Sequence, residues 1–300
     1  VARPSTLRVA YLGPPGTHSE EALRASAGGP VEPVPRTTVH DTVLAVQQGE
    51  VDRALVPIEN SLEGGVAATL DALAGEADGV HIVAEVVHPI HHLLLAARGT
   101  RIENVERVLS HPQATAQSAR FLREALPAAE RVATSSTAEA ARLVAESRLP
   151  WAALGSRLAA ELYGCAVIAA DVEDRPDNLT RFVWLARGAI AASPDGGAMG
   201  GTHKTSIVFW GFNDNSPGAL VSVLRELSDR DLNLTRIESR PRRTALGHYM
   251  FFADLDGHAS APAVAAALGA LGERVQTLRV LGSYPSLSTT EPSGPAGGER

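Results

Sequence analysis

The sequence predicts a mixed α/β protein in two parts: a region of two α/β lobes with a cleft, followed by a smaller α+β domain of βαββαβ order. Three observations carry this. From residue 8 to about 185, short apolar runs alternate with helical patterns, which gives largely parallel sheets covered on both faces. That stretch is longer than one domain usually is, so it divides into two lobes. A run of Gly and small residues ending at His203 then precedes a region of different element order, and reads as a linker.

In chain order, apolar runs at 8–13, 53–58, 80–97, 105–110, 131–134, 151–155 and 166–172 read as strands. The segments 20–25, 41–48, 66–73, 115–126, 138–147 and 157–163 between them read as helices. The region closes on Asp177-Asn178-Leu179-Thr180-Arg181-Phe182 and the apolar Val183-Trp184-Leu185. A hydroxyl and a permanent cation thus sit side by side at a strand mouth. A guanidinium leaving water needs a partner, which a negatively charged ligand would supply; an edge strand with a solvated Arg is the other reading.

Beyond the linker come a strand at 205–211, a helix at 217–229, strands around 232–239 and 248–255, a helix at 261–271 and a strand at 274–281. This is the ferredoxin-like split order. Leu220, Val223, Leu224 and Leu227 repeat at helical spacing, and Pro217 suits a first turn. The expected division is 7–187 for the two lobes, 188–203 for the linker, 204–283 for the second domain, and 284–300 for a disordered tail with little to bury.

Composition narrows the chemistry. With 44% hydrophobic and 20% charged residues the chain has an ordinary globular composition. A net charge of -7 without a dense Lys/Arg cluster argues against nucleic acid. Lys204 is the sole lysine and lies beside the Gly-rich linker, which disfavours Schiff-base chemistry. Cys165 is the sole cysteine, which excludes an intrachain disulfide and a Cys-rich zinc site. No long apolar run or signal-peptide layout is present, so a cytoplasmic protein with no membrane partner is expected.

Four strand ends run into helices through hydroxyl-rich turns, beginning at Gly13, Glu59, Ser110 and Thr134. In parallel sheets such turns share the carboxyl edge, where helix N-termini suit a carboxylate-bearing small molecule. Thr17 with Glu20, and Ser136 with Glu139, also fit capping boxes, which would account for both hydroxyls without a ligand. Gly13-Pro14-Pro15-Gly16 has neither phosphate-loop nor dinucleotide spacing. His88, His91 and His92 invite a metal, but Pro89 forbids a regular helix and no carboxylate follows at ligand spacing. No metal site and no cofactor are expected.

Together these motifs resemble prephenate dehydratase. The resemblance rests on Tyr11-Leu12-Gly13-Pro14-Pro15-Gly16-Thr17, Val56-Pro57-Ile58-Glu59-Asn60-Ser61-Leu62-Glu63-Gly64, Ser110-His111-Pro112-Gln113, Gly155-Ser156 with Ala159-Ala160 and Tyr163-Gly164, and Asn178-Leu179-Thr180-Arg181-Phe182. Gly218-Ala219-Leu220-Val221 and Glu238-Ser239-Arg240-Pro241 resemble the two phenylalanine-binding motifs of that family's ACT domain. His18 departs from the pattern, which usually has an aromatic there.

The resemblance implies a periplasmic-binding-protein-like pair of lobes and decarboxylative dehydration of prephenate to phenylpyruvate. Thr180 would assist the departing hydroxyl and Arg181 would hold a substrate carboxylate through paired hydrogen bonds. Asn60, Ser110 and Gln117 would line the site, with Thr17, Ser61, Gln113 and Phe182 as neighbours. Gly218 to Val221 and Glu238 to Pro241 would bind L-phenylalanine as effector, in a homodimer or homotetramer. Arogenate dehydratase shares the motifs, and a non-catalytic amino-acid-sensing binding protein shares the two-lobed outline.

Overall fold

The computed structural model describes residues 6–75, 77–188, 203–212, 216–244 and 246–286. Residues 189–202 of the expected linker and 287–300 of the expected tail lie outside the described residues. The described residues form two compact units, one of those within 1–80 and 86–187, the other of those within 81–85 and 188–300. No helix among the described residues is long and apolar enough to cross a membrane.

The first unit opens with β1 (Leu7–Leu12), α1 (His18–Ser26), β2 (Val31–Arg36), α2 (Val39–Gln47), β3 (Arg53–Asn60), the short β4 (Gly64–Gly65), α3 (Ala67–Ala74) and the two ends of β5 (Val80–Pro89), whose residues 81–85 are counted with the second unit. Next come β6 (Leu93–Ala96), β7 (Arg107–Ser110), α4 (Pro112–Gln117), α5 (Ala119–Ala125), β8 (Glu130–Ala133), α6 (Thr137–Glu146), β9 (Trp151–Gly155), α7 (Arg157–Tyr163), β10 (Ala166–Ala169) and β11 (Leu179–Arg187).

Two sheets result, one per lobe. In the first, β1 lies parallel between β2 and β3, and β11 returns antiparallel to β3. In the second, β7 lies parallel between β8 and β9, and β6 and β10 add antiparallel beyond β9. Each lobe therefore has a parallel centre, as the alternation predicts, with antiparallel strands where the chain passes between lobes. Val9 to Tyr11 and Ala54 to Val56 are buried without a break, as strands covered on both faces must be. Pro33 and Pro35 place β2 at its sheet's edge, where missing N–H groups cost no ladder bond.

The apolar run at 80–97 is two strands, not one. Pro89 ends β5, Ile90 donates its N–H to Asn178 O, and β6 begins in the second sheet. The expected helix at 115–126 is likewise two, divided at Ser118 and starting earlier, at Pro112. Both differences come from local backbone chemistry that the apolar period does not register.

The second unit contains β12 (His203–Trp210), α8 (Ala219–Ser228), β13 (Leu234–Pro241), β14 (Tyr249–Asp256), α9 (Pro262–Arg274) and β15 (Thr277–Pro285). The strands lie in the order β13-β14-β12-β15, all antiparallel, over a core that includes Ile207, Phe209, Val223, Leu227, Leu255 and Leu271. This is the α+β fold the element order predicts. The last strand is displaced from the expected 274–281, because α9 continues to Arg274. Gly282 faces Ile82, and a Cβ there would lie 2.2 Å from Ile82 O, so only glycine permits this pairing of β15 with residues 81–85. Lys204 adds a two-oxygen ion pair to Glu85, at 2.9 and 3.0 Å.

Candidate active site

The strand ends of the first unit surround a cavity of about 850 Å³. Its walls come from the β1–α1 turn, the ends of β2 and β3, the turn between β5 and β6, the N-termini of α4 and α6, and β11. Thr17, His18 and Ser19 bring the start of α1 to the cavity, and Ser135, Ser136 and Thr137 bring the start of α6. Both helix starts carry the positive end of a dipole and favour an anion.

The two capping boxes fare differently. Ser136 accepts the Glu139 N–H at 3.0 Å, as expected. Thr17 makes no side-chain cap; its hydroxyl donates to Leu12 O at 3.0 Å. Glu20 instead reaches back to the Gly16 N–H at 2.8 Å, the Tyr11 hydroxyl at 3.0 Å and both Nε and Nη2 of Arg24. That buried carboxylate fixes the glycine turn that presents Thr17 and His18.

Thr180 and Phe182 both line the cavity from β11. Residues two apart on a strand share a face, which puts both on the cavity side. The partner strand β3 carries a bulge here: Arg181 faces Glu59, Phe182 faces Pro57, and Ile58 is the extra residue. A proline is tolerated at such a bulge.

Asn60, at the end of β3, determines how Thr180 is used. Asn60 Oδ1 accepts the backbone N–H groups of Leu62 and Glu63 at 3.0 and 3.1 Å. Its Nδ2 therefore faces the other way, toward Asn178 Oδ1 at 2.8 Å, Leu179 O at 3.1 Å and Thr180 Oγ1 at 2.9 Å. Because Thr180 Oγ1 accepts from an amide, its own hydrogen is left to donate elsewhere.

The same logic continues outward. Asn178 Oδ1 takes the Asn60 amide, so Asn178 Nδ2 donates to Gln117 Oε1, at 3.2 Å. Gln117 Oε1 is then an acceptor for His92 Nε2 as well, at 3.0 Å, and His92 is protonated at Nε2. Burial and the neighbouring His18 push the His92 pKa down to about 4, so the ring is neutral at pH 7. Its bare Nδ1 is buried with no hydrogen-bond partner among the described residues.

His18 packs edge-on against His92, with ring centroids 5.6 Å apart. Its Nδ1 lies 2.9 Å from Glu21 Oε2. Burial works to raise the Glu21 pKa, but hydrogen bonds from His18, His88 and the Leu158 N–H outweigh it and hold the carboxyl well below the usual range. The position where the sequence departs from its apparent relatives is thus a carboxylate-held imidazole on the cavity wall.

Of the residues expected at the site, Thr17, Asn60, Gln113, Gln117, Thr180 and Phe182 line the cavity, whereas Ser61, Ser110 and Arg181 do not. Ser61 clips β11 in place, accepting the Leu179 N–H at 2.9 Å and donating to Asp177 O. Ser110 is fully buried, with its hydroxyl 3.4 Å from Leu154 O. Arg181, expected to meet a substrate carboxylate, places Nε 3.3 Å from Glu59 Oε2. The guanidinium does take an anionic partner as it leaves water, and the partner is the chain's own.

The three histidines of the metal question go separate ways. His88 lies 3.7 Å from Glu21, His92 joins Gln117, and His91 Nδ1 lies 2.8 Å from Glu173 Oε1. His91, Asp171 and Glu173 bring one donor atom each within 4.8 Å of one another. Glu173 already spends both oxygens, one on His91 and one on the His92 N–H at 2.9 Å, so the cluster ties β6 to the segment after β10. Sequence spacing around 88–92 could not find carboxylates some 80 residues on.

In the second unit a cavity of about 340 Å³ is lined by Gly218 to Val221 together with Phe212, Ser216, Gly247, Tyr249 and Phe251. Gly218, at φ +82°, is the N-cap of α8. The second expected motif, Glu238, Ser239, Arg240 and Pro241, lies on β13 opposite Tyr249 to Phe252 and does not line this cavity within one chain.

Comparison with known proteins identifies the family. The family model described as "Prephenate dehydratase" matches residues 9–189, and the "ACT domain" model matches 212–273. A protein named prephenate dehydratase from Mycolicibacterium vanbaalenii is 42% identical over 292 residues, covering 93% of this chain and 91% of the relative. A solved structure of prephenate dehydratase in complex with L-Phe, from Arthrobacter aurescens, is 39% identical with a TM-score of 0.84, covering 94% of this chain and 92% of that one. A structure described as GqqA, a quorum-quenching acylase, is 33% identical with a TM-score of 0.82, covering 94% and 98%.

Proposed function

The chain belongs to the prephenate dehydratase family, and from that premise we propose that the first unit's cavity holds prephenate with its ring hydroxyl against Thr180. The reaction is a lyase reaction. The C1–carboxylate bond breaks, its electron pair enters the ring, the C4–oxygen bond breaks, and hydroxide leaves to become water as the ring turns aromatic. The products are phenylpyruvate, carbon dioxide and water.

The bond from Asn60 Nδ2 to Thr180 Oγ1, 2.9 Å, carries the reading. It occupies an acceptor site of the hydroxyl and leaves the hydrogen free for the oxygen that departs. A threonine hydroxyl is too weak an acid to surrender its proton outright. Its contribution is a hydrogen bond that strengthens as negative charge gathers on that oxygen, with water supplying the proton. The N-termini of α1 and α6 provide neutral donors for the substrate's carboxylates. Arg181 has a supporting role, holding β11 to β3 through Glu59.

The second unit's cavity is our proposed site for L-phenylalanine as effector, the ligand present in the Arthrobacter aurescens structure. The start of α8 suits the amino acid's carboxylate, and Phe212, Tyr249 and Phe251 offer an aromatic wall to its ring. Glu238 to Pro241 would close the site from a second copy in a homodimer, or in a homotetramer built from such pairs. A cytoplasmic location follows from the biosynthetic reaction.

The test is direct. Purified protein is incubated with prephenate or arogenate while phenylpyruvate and phenylalanine are followed, with and without added L-phenylalanine, and Thr180→Ala is run alongside. Turnover of prephenate that Thr180→Ala lowers by about 10²–10³-fold is expected. A fully active Thr180→Ala would remove the role assigned to Thr180, and no turnover of either substrate would overturn the enzyme reading.

A further inference from the structure

The hydrogen bonds that reach Thr180 start at a histidine. His92 is 2% exposed and lines the cavity, and its Nε2–H is committed to Gln117 Oε1, 3.0 Å away. Gln117 Oε1 also takes Asn178 Nδ2, Asn178 Oδ1 takes Asn60 Nδ2, and Asn60 Nδ2 reaches Thr180 Oγ1. Asn60 and Thr180 belong to the first lobe's sheet, His92 precedes β6, and Gln117 ends α4, so the chain of bonds crosses between lobes.

The orientation of every amide in it is determined. The backbone N–H groups of Leu62 and Glu63 fix Asn60 at one end. At the other, a donor on His92 Nε2 is required, because a bare Nε2 would face the Gln117 carbonyl lone pairs. Gln117 Nε2 also donates to Glu63 Oε1, but at 3.4 Å and in an exposed position, so the shorter bond from His92 is the firmer hold on the amide. Were the His92 donor lost, the Gln117 amide could turn over and set its NH₂ against the Asn178 NH₂, forcing Asn178 off Asn60. The Asn60 amide plane, and with it the bond to Thr180, would then lose its hold.

Resting on the assignment of Thr180 above, we propose that His92 is a positioning residue for the dehydration: as an Nε2–H donor it locks Gln117 and Asn178 so that Asn60 keeps the Thr180 hydroxyl hydrogen aimed into the cavity. It touches neither the reacting atoms nor Thr180. A ring suits the place because it fills a nearly dry space against His18 while presenting one N–H in a fixed direction. Sub-ångström placement of a donor matters here, since a displacement of about 1 Å can cost on the order of a hundredfold in rate.

The experiment is a double-mutant cycle on the full chain with prephenate as substrate. His92→Leu removes the donor at similar bulk, and His92→Gln carries an N–H at about the reach of Nε2. His92→Leu is expected to lower kcat by roughly 10- to 100-fold with little change in KM. His92→Gln should recover most of that loss, and in a Thr180→Ala background His92→Leu should have almost no further effect. A role in stability alone would lower activity by the same factor in both backgrounds, which overturns the proposal, as does equal activity of the Leu and Gln variants. Should His92→Leu not fold, His92→Gln against His92→Asn makes the same test. Asn reaches only as far as Nδ1, so equal activity of that pair overturns the proposal too. If Thr180→Ala alone is fully active, the Thr180 reading has failed, and that result is distinct from any of these.

Discussion

Thr180→Val separates the chemistry of the hydroxyl from its part in the fold. Valine keeps the outline of threonine and replaces the oxygen with a methyl in a residue only 7% exposed. The structural loss is one hydrogen bond, and Asn60 Nδ2 keeps two other acceptors, Asn178 Oδ1 at 2.8 Å and Leu179 O at 3.1 Å. No buried donor is orphaned, so the stability cost is that of one net hydrogen bond, about 0.5–1.5 kcal/mol. The catalytic loss is larger, because a preorganised donor to a developing anion contributes about 10²–10³ in rate, or roughly 3–4 kcal/mol. The assay is phenylpyruvate formation under saturating prephenate, with urea unfolding of the same preparations. A kcat within about threefold of the parent chain would refute the reasoning. So would a loss of activity that Thr180→Ser fails to relieve, since serine restores the hydroxyl that Asn60 orients.

Stability should fall with acid before most carboxylates titrate. The His92 pKa is about 4 in the native state against 6.5 for a free imidazole. Between those values the unfolded chain binds a proton that the native one does not. Stability therefore rises with pH across that window, and by pH 4 the loss relative to pH 7 reaches on the order of 3 kcal/mol. Unfolding midpoints at pH 7 and pH 5 measure this, and His92→Gln should flatten the difference. Glu59→Gln and Arg181→Gln should each lower the unfolding midpoint, with a coupling of about 1 kcal/mol in the double variant; strict additivity would show that the pair contributes nothing. Gly218→Val places a branched side chain at φ +82° on the N-cap of α8. It should abolish the response of the rate to L-phenylalanine while leaving kcat in its absence unchanged, as read by titrating the effector.

The architecture was legible because alternating apolar runs and element order encode it directly, as did the clustering of hydroxyl-rich turns at strand ends. What the sequence could not show is direction within a strand mouth. Thr180 and Arg181 are adjacent and looked like one bifunctional pair. The pleat sends the hydroxyl to the cavity and the guanidinium to Glu59. His92 was visible only as a metal-ligand candidate, and Asn178 lay inside the motif without a task. Their roles depend on partners 118, 61 and 25 residues apart in sequence, and on tautomer logic that exists only once the amides have faced one another.

The place of Arg181 beside Glu59 bears on how an acidic chain handles an anionic substrate. The cavity wall includes one arginine, Arg36, and that is ion-paired with Glu50. Further capacity for carboxylates lies in the starts of α1 and α6, in His18 and His111, and in neutral side chains such as Gln113 and Ser135. For simple binding this would be a poor choice, since a guanidinium pair is the stronger contact. For decarboxylation it is the better one. The charge on the departing carboxylate disperses into the ring and onto the leaving oxygen, and a tight guanidinium pair would hold the ground state more firmly than the transition state. Weak neutral donors at the carboxylates and one well-aimed hydroxyl at the leaving oxygen bias the difference the other way, and Asn60, Asn178, Gln117 and His92 together supply that aim.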